Sequence, residues 1–214
     1  MRTWTADQVR IFLSHVRSDR LYALWVLIAT TGMRRGEALA LRWDDLDLEA
    51  GRASVCRALI PVGGELRMEE PKNGRTRSVA LDTKTVETLR AHRVGITEER
   101  FAMGLGRPLA SDLAFANRDG SPVSPGGLSQ QFAARAKKAN LPSIRLHDLR
   151  HTHATLALRA GIHPKVVQER LGHSSISLTL DLYSHAIPGL EEAAAEQIAG
   201  LVFDSPSVAV EDAR

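Results

Sequence analysis

The 214-residue chain reads as a mostly α (α+β) protein, a helical bundle carrying a small antiparallel sheet. Three observations predict this. Apolar residues recur at helical spacing over most of the chain, with capping and breaking residues between the segments. One short region, residues 51–81, is instead punctuated by Gly51, Gly63-Gly64 and Asn73-Gly74. Finally, 43% hydrophobic and 25% charged residues suit one well-buried domain, or at most two small ones.

Thr5, followed by Gln8 and then by Val9, Phe12, Leu13 and Val16, predicts a capped amphipathic helix. Residues 21–29 are apolar on nearly every side and stop at Thr31-Gly32, which predicts a buried helix, and a third helix should start at about Arg35. Residues 53–60, 65–70 and 75–81 then predict an antiparallel meander. Helical texture returns at Thr83 with Val86, Leu89 and Ala91 on one side, and a short segment follows at residues 113–115. Further helices are expected over residues 128–139, 147–159, from Pro164 to a stop at Gly172, 176–183 and 190–203. Residues 1–203 thus form the expected domain, and the small, polar and acidic residues 204–214 a disordered tail.

The formal charge is only +3, but residues 1–189 carry 27 basic against 19 acidic side chains. A basic body with an acidic end fits a polyanionic partner, although an ordinary solvated surface gives the same balance. No apolar run approaches the roughly 20 residues of a membrane span, and Met1-Arg2-Thr3-Trp4 does not begin a signal peptide, so a cytoplasmic protein with no membrane partner is expected. The single cysteine, Cys56, excludes an internal disulfide and reads as a small strand hydrophobe.

Four constellations carry chemistry. In Thr31-Gly32-Met33-Arg34-Arg35-Gly36-Glu37 an arginine sits at a glycine-marked break between helices, and Glu37, three residues on, can ion-pair with Arg34. A helix cap with a solvated arginine is the plainer reading. In His147-Asp148-Leu149-Arg150, with His151 and His153 behind, histidine and arginine share a helical face. A phosphate there would meet a guanidinium fork and an imidazole that exchanges protons near neutral pH. His147 and His151 also have the i, i+4 spacing of a zinc pair. His153 projects roughly 200° from His151, however, the helix lacks the glutamate base of that motif, and Arg150 repels a cation, so no metal and no cofactor is expected. Leu171-Gly172-His173-Ser174-Ser175 precedes Tyr183 by a ten-residue offset from His173. A lone tyrosine more commonly packs, half-buried, with its hydroxyl bonded. Pro71-Lys72-Asn73-Gly74-Arg75-Thr76-Arg77 is a hairpin tip dense in positive charge, either a soluble turn or a lysine carried to a DNA groove.

Taken in order, Arg34, Lys72, His147, Arg150, His173 and Tyr183, in the contexts just given, resemble the signature of the tyrosine site-specific recombinases of the phage-integrase type. The resemblance spans residues 4–188. It implies the tyrosine recombinase catalytic-domain fold, and site-specific strand cleavage and rejoining through a 3′-phosphotyrosyl link without metal or ATP. Tyr183 would be the nucleophile, Arg34 and Arg150 the phosphate ligands, His147 the base, His173 a hydrogen-bond donor and Lys72 the general acid. Glu37 and His151 would support them, and Arg35, Arg75 and Arg77 would contact DNA. Implied partners are double-stranded DNA attachment sites and, for the whole enzyme, three further copies in a homotetramer. Family members carry a helical core-binding domain ahead of this one, which is expected to be absent here. A type IB topoisomerase and a DNA-binding fragment without activity are the alternatives.

Overall fold

The computed structural model describes residues 2–70, 76–173, 175 and 190–203. Its elements run α1 (Ala6–His15), α2 (Tyr22–Thr31), α3 (Arg35–Leu39), a 3-10 turn (Trp43–Asp45), β1 (Leu46–Asp47), β2 (Arg52–Val55), β3 (Ala58–Val62), β4 (Glu65–Glu69), β5 (Arg77–Ala80), α4 (Thr83–Ala102), α5 (Pro125–Lys138), α6 (Asp148–Arg159), α7 (Pro164–Leu171) and α8 (Leu190–Phe203). The mostly helical fold with small antiparallel sheets is therefore present. Expected segments 71–75 and 176–183, and the tail 204–214, lie outside the described residues.

Local chemistry explains the helix ends. Thr5 and Gln8 form the reciprocal capping box of α1, with Gln8 N donating to Thr5 Oγ1 and Thr5 N to Gln8 Oε1. Gly32 and Gly172 end α2 and α7 in the left-handed region, at φ 66° and 68°. Ser124 caps α5 and Pro125 occupies its first turn, so this helix begins three residues before the expected Leu128. On α4 the inward residues are Thr85 and Leu89, while Ala91 is exposed.

The expected single meander does not form. β2 pairs with β5 and with β1, giving a three-stranded sheet, while β3 and β4 form a separate hairpin. The break falls at Cys56-Arg57. Both side chains turn to Asp45, with Cys56 Sγ donating to Oδ1 at 3.2 Å and Arg57 Nη1 to Oδ2 at 3.0 Å. Beyond this pivot β3 leaves the first sheet and packs on α3. The approach is so close that a Cβ on Gly36 would lie 2.7 Å from the Leu59 carbonyl oxygen.

The main core is knitted by four aromatic rings from distant parts of the chain. Phe132 on α5 lies 5.4 Å from Trp4, 5.1 Å from Phe12 and 6.1 Å from Trp25, centroid to centroid. Trp4 ties the start of the chain to its later half, donating Nε1–H to Pro142 O at 2.9 Å and its backbone N–H to Thr152 Oγ1 at 3.1 Å. A smaller cluster of Ala154, Leu158, Val167 and Leu171 joins α6 to α7. Together the two clusters bring the ends of α2, α6 and α7 to one place. Because Phe132 is fully buried at the centre of the larger cluster, Phe132→Ala should cost about 3–5 kcal/mol of unfolding free energy in urea titration. A loss below about 1 kcal/mol would show that this cluster does not carry the domain.

Candidate active site

Arg150 lies on the first turn of α6 and is only 3% exposed. A buried guanidinium needs acceptors, and it finds them on two other segments: Nη1 donates to Gly32 O at 2.8 Å and Nη2 to Leu171 O at 2.7 Å. Both acceptors lie at helix C-termini, where unpaired carbonyls carry partial negative charge. The next carbonyl, Gly172 O, accepts from Arg34 Nη2 at 3.3 Å, and the preceding one, Arg170 O, accepts from Arg77 Nε at 3.2 Å. Three successive carbonyls at the end of α7 thus hold three different arginines side by side.

Glu37 completes the cluster. Its Oε1 accepts from Arg34 Nη1 at 2.9 Å and Arg77 Nη1 at 2.9 Å, and its Oε2 from Arg34 N at 2.9 Å and Arg77 Nη2 at 2.6 Å. Burial alone would raise its pKa. The hydrogen bonds and charge of Arg77, followed by the backbone and side-chain hydrogen bonds of Arg34, reverse that and hold it at about 2. One carboxylate among three guanidiniums leaves the cluster strongly cationic. Burial, reinforced by the nearby charge of Arg34, lowers Arg150 to about 9, so it remains charged at neutral pH.

The histidines border this charge. His147 caps the start of α6 and is exposed, one turn before buried Arg150, and its ring meets His151 edge-on at 5.0 Å. His173 follows Gly172, its backbone N–H donating to Gln168 O at 3.1 Å and its O accepting from Gln168 Nε2 at 3.3 Å. Burial first, then the field of Arg150 and Arg34, lowers His173 to about 4, and the same two effects, burial then Arg150, lower His147. His153 turns the other way, with Nδ1 3.3 Å from Ala29 O. Among the described residues no three histidine, cysteine or carboxylate side chains gather as metal ligands.

Of the residues singled out in the sequence, Arg34, Glu37, His147, Arg150, His151 and His173 come together here, whereas Lys72, Arg75 and Tyr183 lie outside the described residues. Arg35 borders a neighbouring cleft of about 930 Å3, where its Nη1 donates to Ser129 Oγ at 2.5 Å. Arg77, expected at a DNA groove, is turned inward, with a side chain 15% exposed. Sequence reasoning passed over Arg2 and Arg145, which line the same cleft as Arg34 and His147. The Arg145-x-x-Asp148 spacing was the available signal, because Asp148 accepts from Arg145 N and Nη2 at 2.8 Å each.

This fold is that of the tyrosine recombinase catalytic domains. The chain belongs to the phage integrase family, whose sequence profile matches residues 2–188. It is 28% identical over 210 residues to a XerC-like tyrosine recombinase of Caldanaerobacter subterraneus, covering 92% of this chain and 54% of that one. It is also 28% identical over 205 residues to the ICEBs1 integrase of Bacillus subtilis, covering 94% and 55%. The chain therefore spans about half the length of the curated relatives it matches. The structure of the Tn1549 transposon integrase in complex with transposon right end DNA superposes with a TM-score of 0.79 at 26% identity, covering 92% of this chain and 66% of that one.

The lowered histidines fix a pH dependence. His153, like His173, is held at about 4, burial being the main cause and Arg170 the second. Between the ordinary value near 6.5 and about 4 the unfolded chain binds protons that the folded chain does not, so stability falls as pH falls through that window. His153, nearly buried, contributes a slope of up to about 1.4 kcal/mol per pH unit, and the half-exposed His173 contributes less because solvent screens it. Urea titrations of the parent and His153→Leu from pH 7 to 4 should diverge in slope; parallel curves would exclude a depressed His153.

Proposed function

We propose that the chain is the DNA-breaking and rejoining domain of a site-specific recombinase that acts on double-stranded DNA attachment sites. The carrying observation is the convergence of Arg34, Arg150, His147 and His173 from three chain segments onto one cationic, partly desolvated patch. Such a patch suits a phosphodiester whose non-bridging oxygens gain charge in the transition state. In this reading Tyr183 Oη forms the bond to phosphorus as the bond from phosphorus to the 5′-oxygen breaks. His147, its pKa lowered by burial and by Arg150, takes the phenol proton, and Lys72 supplies a proton to the departing 5′-oxygen. His173 donates a hydrogen bond to the phosphate, and Glu37 and His151 support the ligands. Attack of a 5′-hydroxyl on the 3′-phosphotyrosyl link reverses the step and rejoins the strand. The ester is conserved throughout, so ATP is not needed. The cations are supplied by arginine, so a metal is not needed either.

Arg35 and Arg75, with Arg2 and Arg145, would follow the flanking DNA backbone. The whole enzyme would work in the cytoplasm as a homotetramer on DNA. Exposed Ile198, Leu201, Val202 and Phe203 on α8 support a helix that docks on a neighbouring copy. No helix among the described residues is long and apolar enough to cross a membrane.

A nicked suicide substrate should trap a covalent complex with the parent protein, in EDTA as well as in its absence. Tyr183→Phe should bind that DNA and trap nothing. An adduct surviving Tyr183→Phe would remove the nucleophile assignment, and strict dependence on a divalent ion would remove the metal-free reading. Binding with no adduct from any form would favour the inactive-fragment alternative, and supercoil relaxation without strand exchange between two sites would favour the topoisomerase one. Truncation after Gly189 should lower recombination between paired sites far more than single-strand cleavage. Equal losses, with unchanged assembly on DNA by light scattering, would show that α8 serves folding instead.

A further inference from the structure

Arg77 opens β5 opposite Val55, on the same inward face of the strand as buried Val79. All three of its guanidinium nitrogens are engaged: Nε with Arg170 O, Nη1 with Glu37 Oε1 and Nη2 with Glu37 Oε2. Its side chain is 15% exposed, against 45% for Arg34. It also fills the space beside the last turn of α7. A Cβ built on Gly172 would lie 3.0 Å from Arg77 Cδ and Nη1, so even a methyl group at 172 would crowd this guanidinium.

The chain of contacts has a direction. Glu37 is 6% exposed, and Arg34 gives it a backbone N–H and one side-chain nitrogen. The bidentate fork from Arg77 occupies the remaining positions on both carboxylate oxygens and so fixes the plane of the carboxylate. That plane in turn sets where Arg34 presents its guanidinium. Without the fork, a nearly buried carboxylate would lose half its donors and rotate toward Arg34 or toward water.

We infer that Arg77 is a positioning residue that orients Arg34 through Glu37 and holds the end of α7 in place, and is not a groove contact for DNA. The inference rests on the reading of Arg34 as a phosphate ligand. A lysine at 77 keeps the positive charge but cannot reproduce the fork. A phosphate contact and a positioning residue then differ in what they lose. At a phosphate contact a lysine still neutralises the phosphate, so binding, salt slope and the rate on saturating DNA would all stay near those of the parent. Loss of a positioning residue leaves affinity and salt slope in place and slows the step itself.

The experiment measures three quantities for the parent, Arg77→Lys, Glu37→Gln, the double variant and Arg34→Ala. These are affinity for a nicked suicide duplex across a salt series, the rate of covalent capture at saturating DNA, and thermal unfolding. Arg77→Lys should keep cooperative unfolding, affinity and salt slope while capture slows on the order of 100-fold, the scale of a misplaced catalytic group. The double variant should be no slower than the slower single one, because both changes break one linkage. Capture at the parent rate by Arg77→Lys, a lowered salt slope, additive losses in the double variant, or loss of cooperative unfolding in Arg77→Lys would each overturn the inference. Arg34→Ala is the separate control. If it captures DNA like the parent, the reading of the site itself falls, whereas a slow Arg34→Ala beside a fast Arg77→Lys leaves that reading standing and removes only the role of Arg77.

Discussion

A guanidinium removed from water must exchange its hydration for fixed acceptors, and among the described residues Arg150 makes this exchange with backbone carbonyls at Gly32 and Leu171. Much of the surrounding structure follows from that requirement. The ends of α2 and α7 must meet over the first turn of α6, and both must end so that carbonyls point at the same spot. Gly32 and Gly172 supply those ends through left-handed conformations. The helix termini contribute partial negative charge where the chain needs to collect cations. Arg34 and Arg77 then gather beside Arg150 because the neighbouring carbonyls and Glu37 offset their mutual repulsion.

The packing beneath the site serves the same end. His153 and Leu171 press against Gly32 so closely that a Cβ there would lie 2.8 Å from the imidazole Cδ2 and 2.5 Å from the leucine Cδ2. Arg170 extends the clamp by donating to Thr30 O at 3.1 Å and Ala80 O at 2.9 Å, linking α7 to α2 and β5. A shift of α7 would therefore disturb Arg34, Arg77 and Arg150 together. The site's electrostatics and its helix packing are one mechanical unit.

Elements set by neighbouring residues were legible in the sequence. The Thr5–Gln8 box, the stops at Gly32 and Gly172 and the start at Pro164 each need only a few consecutive residues. The pairing of β2 with β5 was not legible, because the glycine spacing favours adjacent hairpins while the pivot depends on Asp45, 11 residues before Cys56. Ser124 and Pro125 were passed over because Gly126-Gly127 follow them and weaken the helical pattern. In the site, the arginines and histidines were recognisable by type and order. The inward turn of Arg77 was not, since its partner Glu37 lies 40 positions away and a basic hairpin reads as a surface feature. Of the cleft arginines, Arg145 carried a local signal in Asp148, whereas Arg2 carried none, because only folding brings residue 2 to that cleft.

The acceptors that hold the arginines at the end of α7 belong to the main chain, and this bears on how such a domain can diversify. A carbonyl at position 170 or 171 survives any side-chain replacement that leaves the helix intact, so the scaffold of the arginine cluster is largely uncoupled from the identities of the residues that provide it. Side chains on the outer faces of α7 can therefore vary without moving the cations that the end of the helix collects.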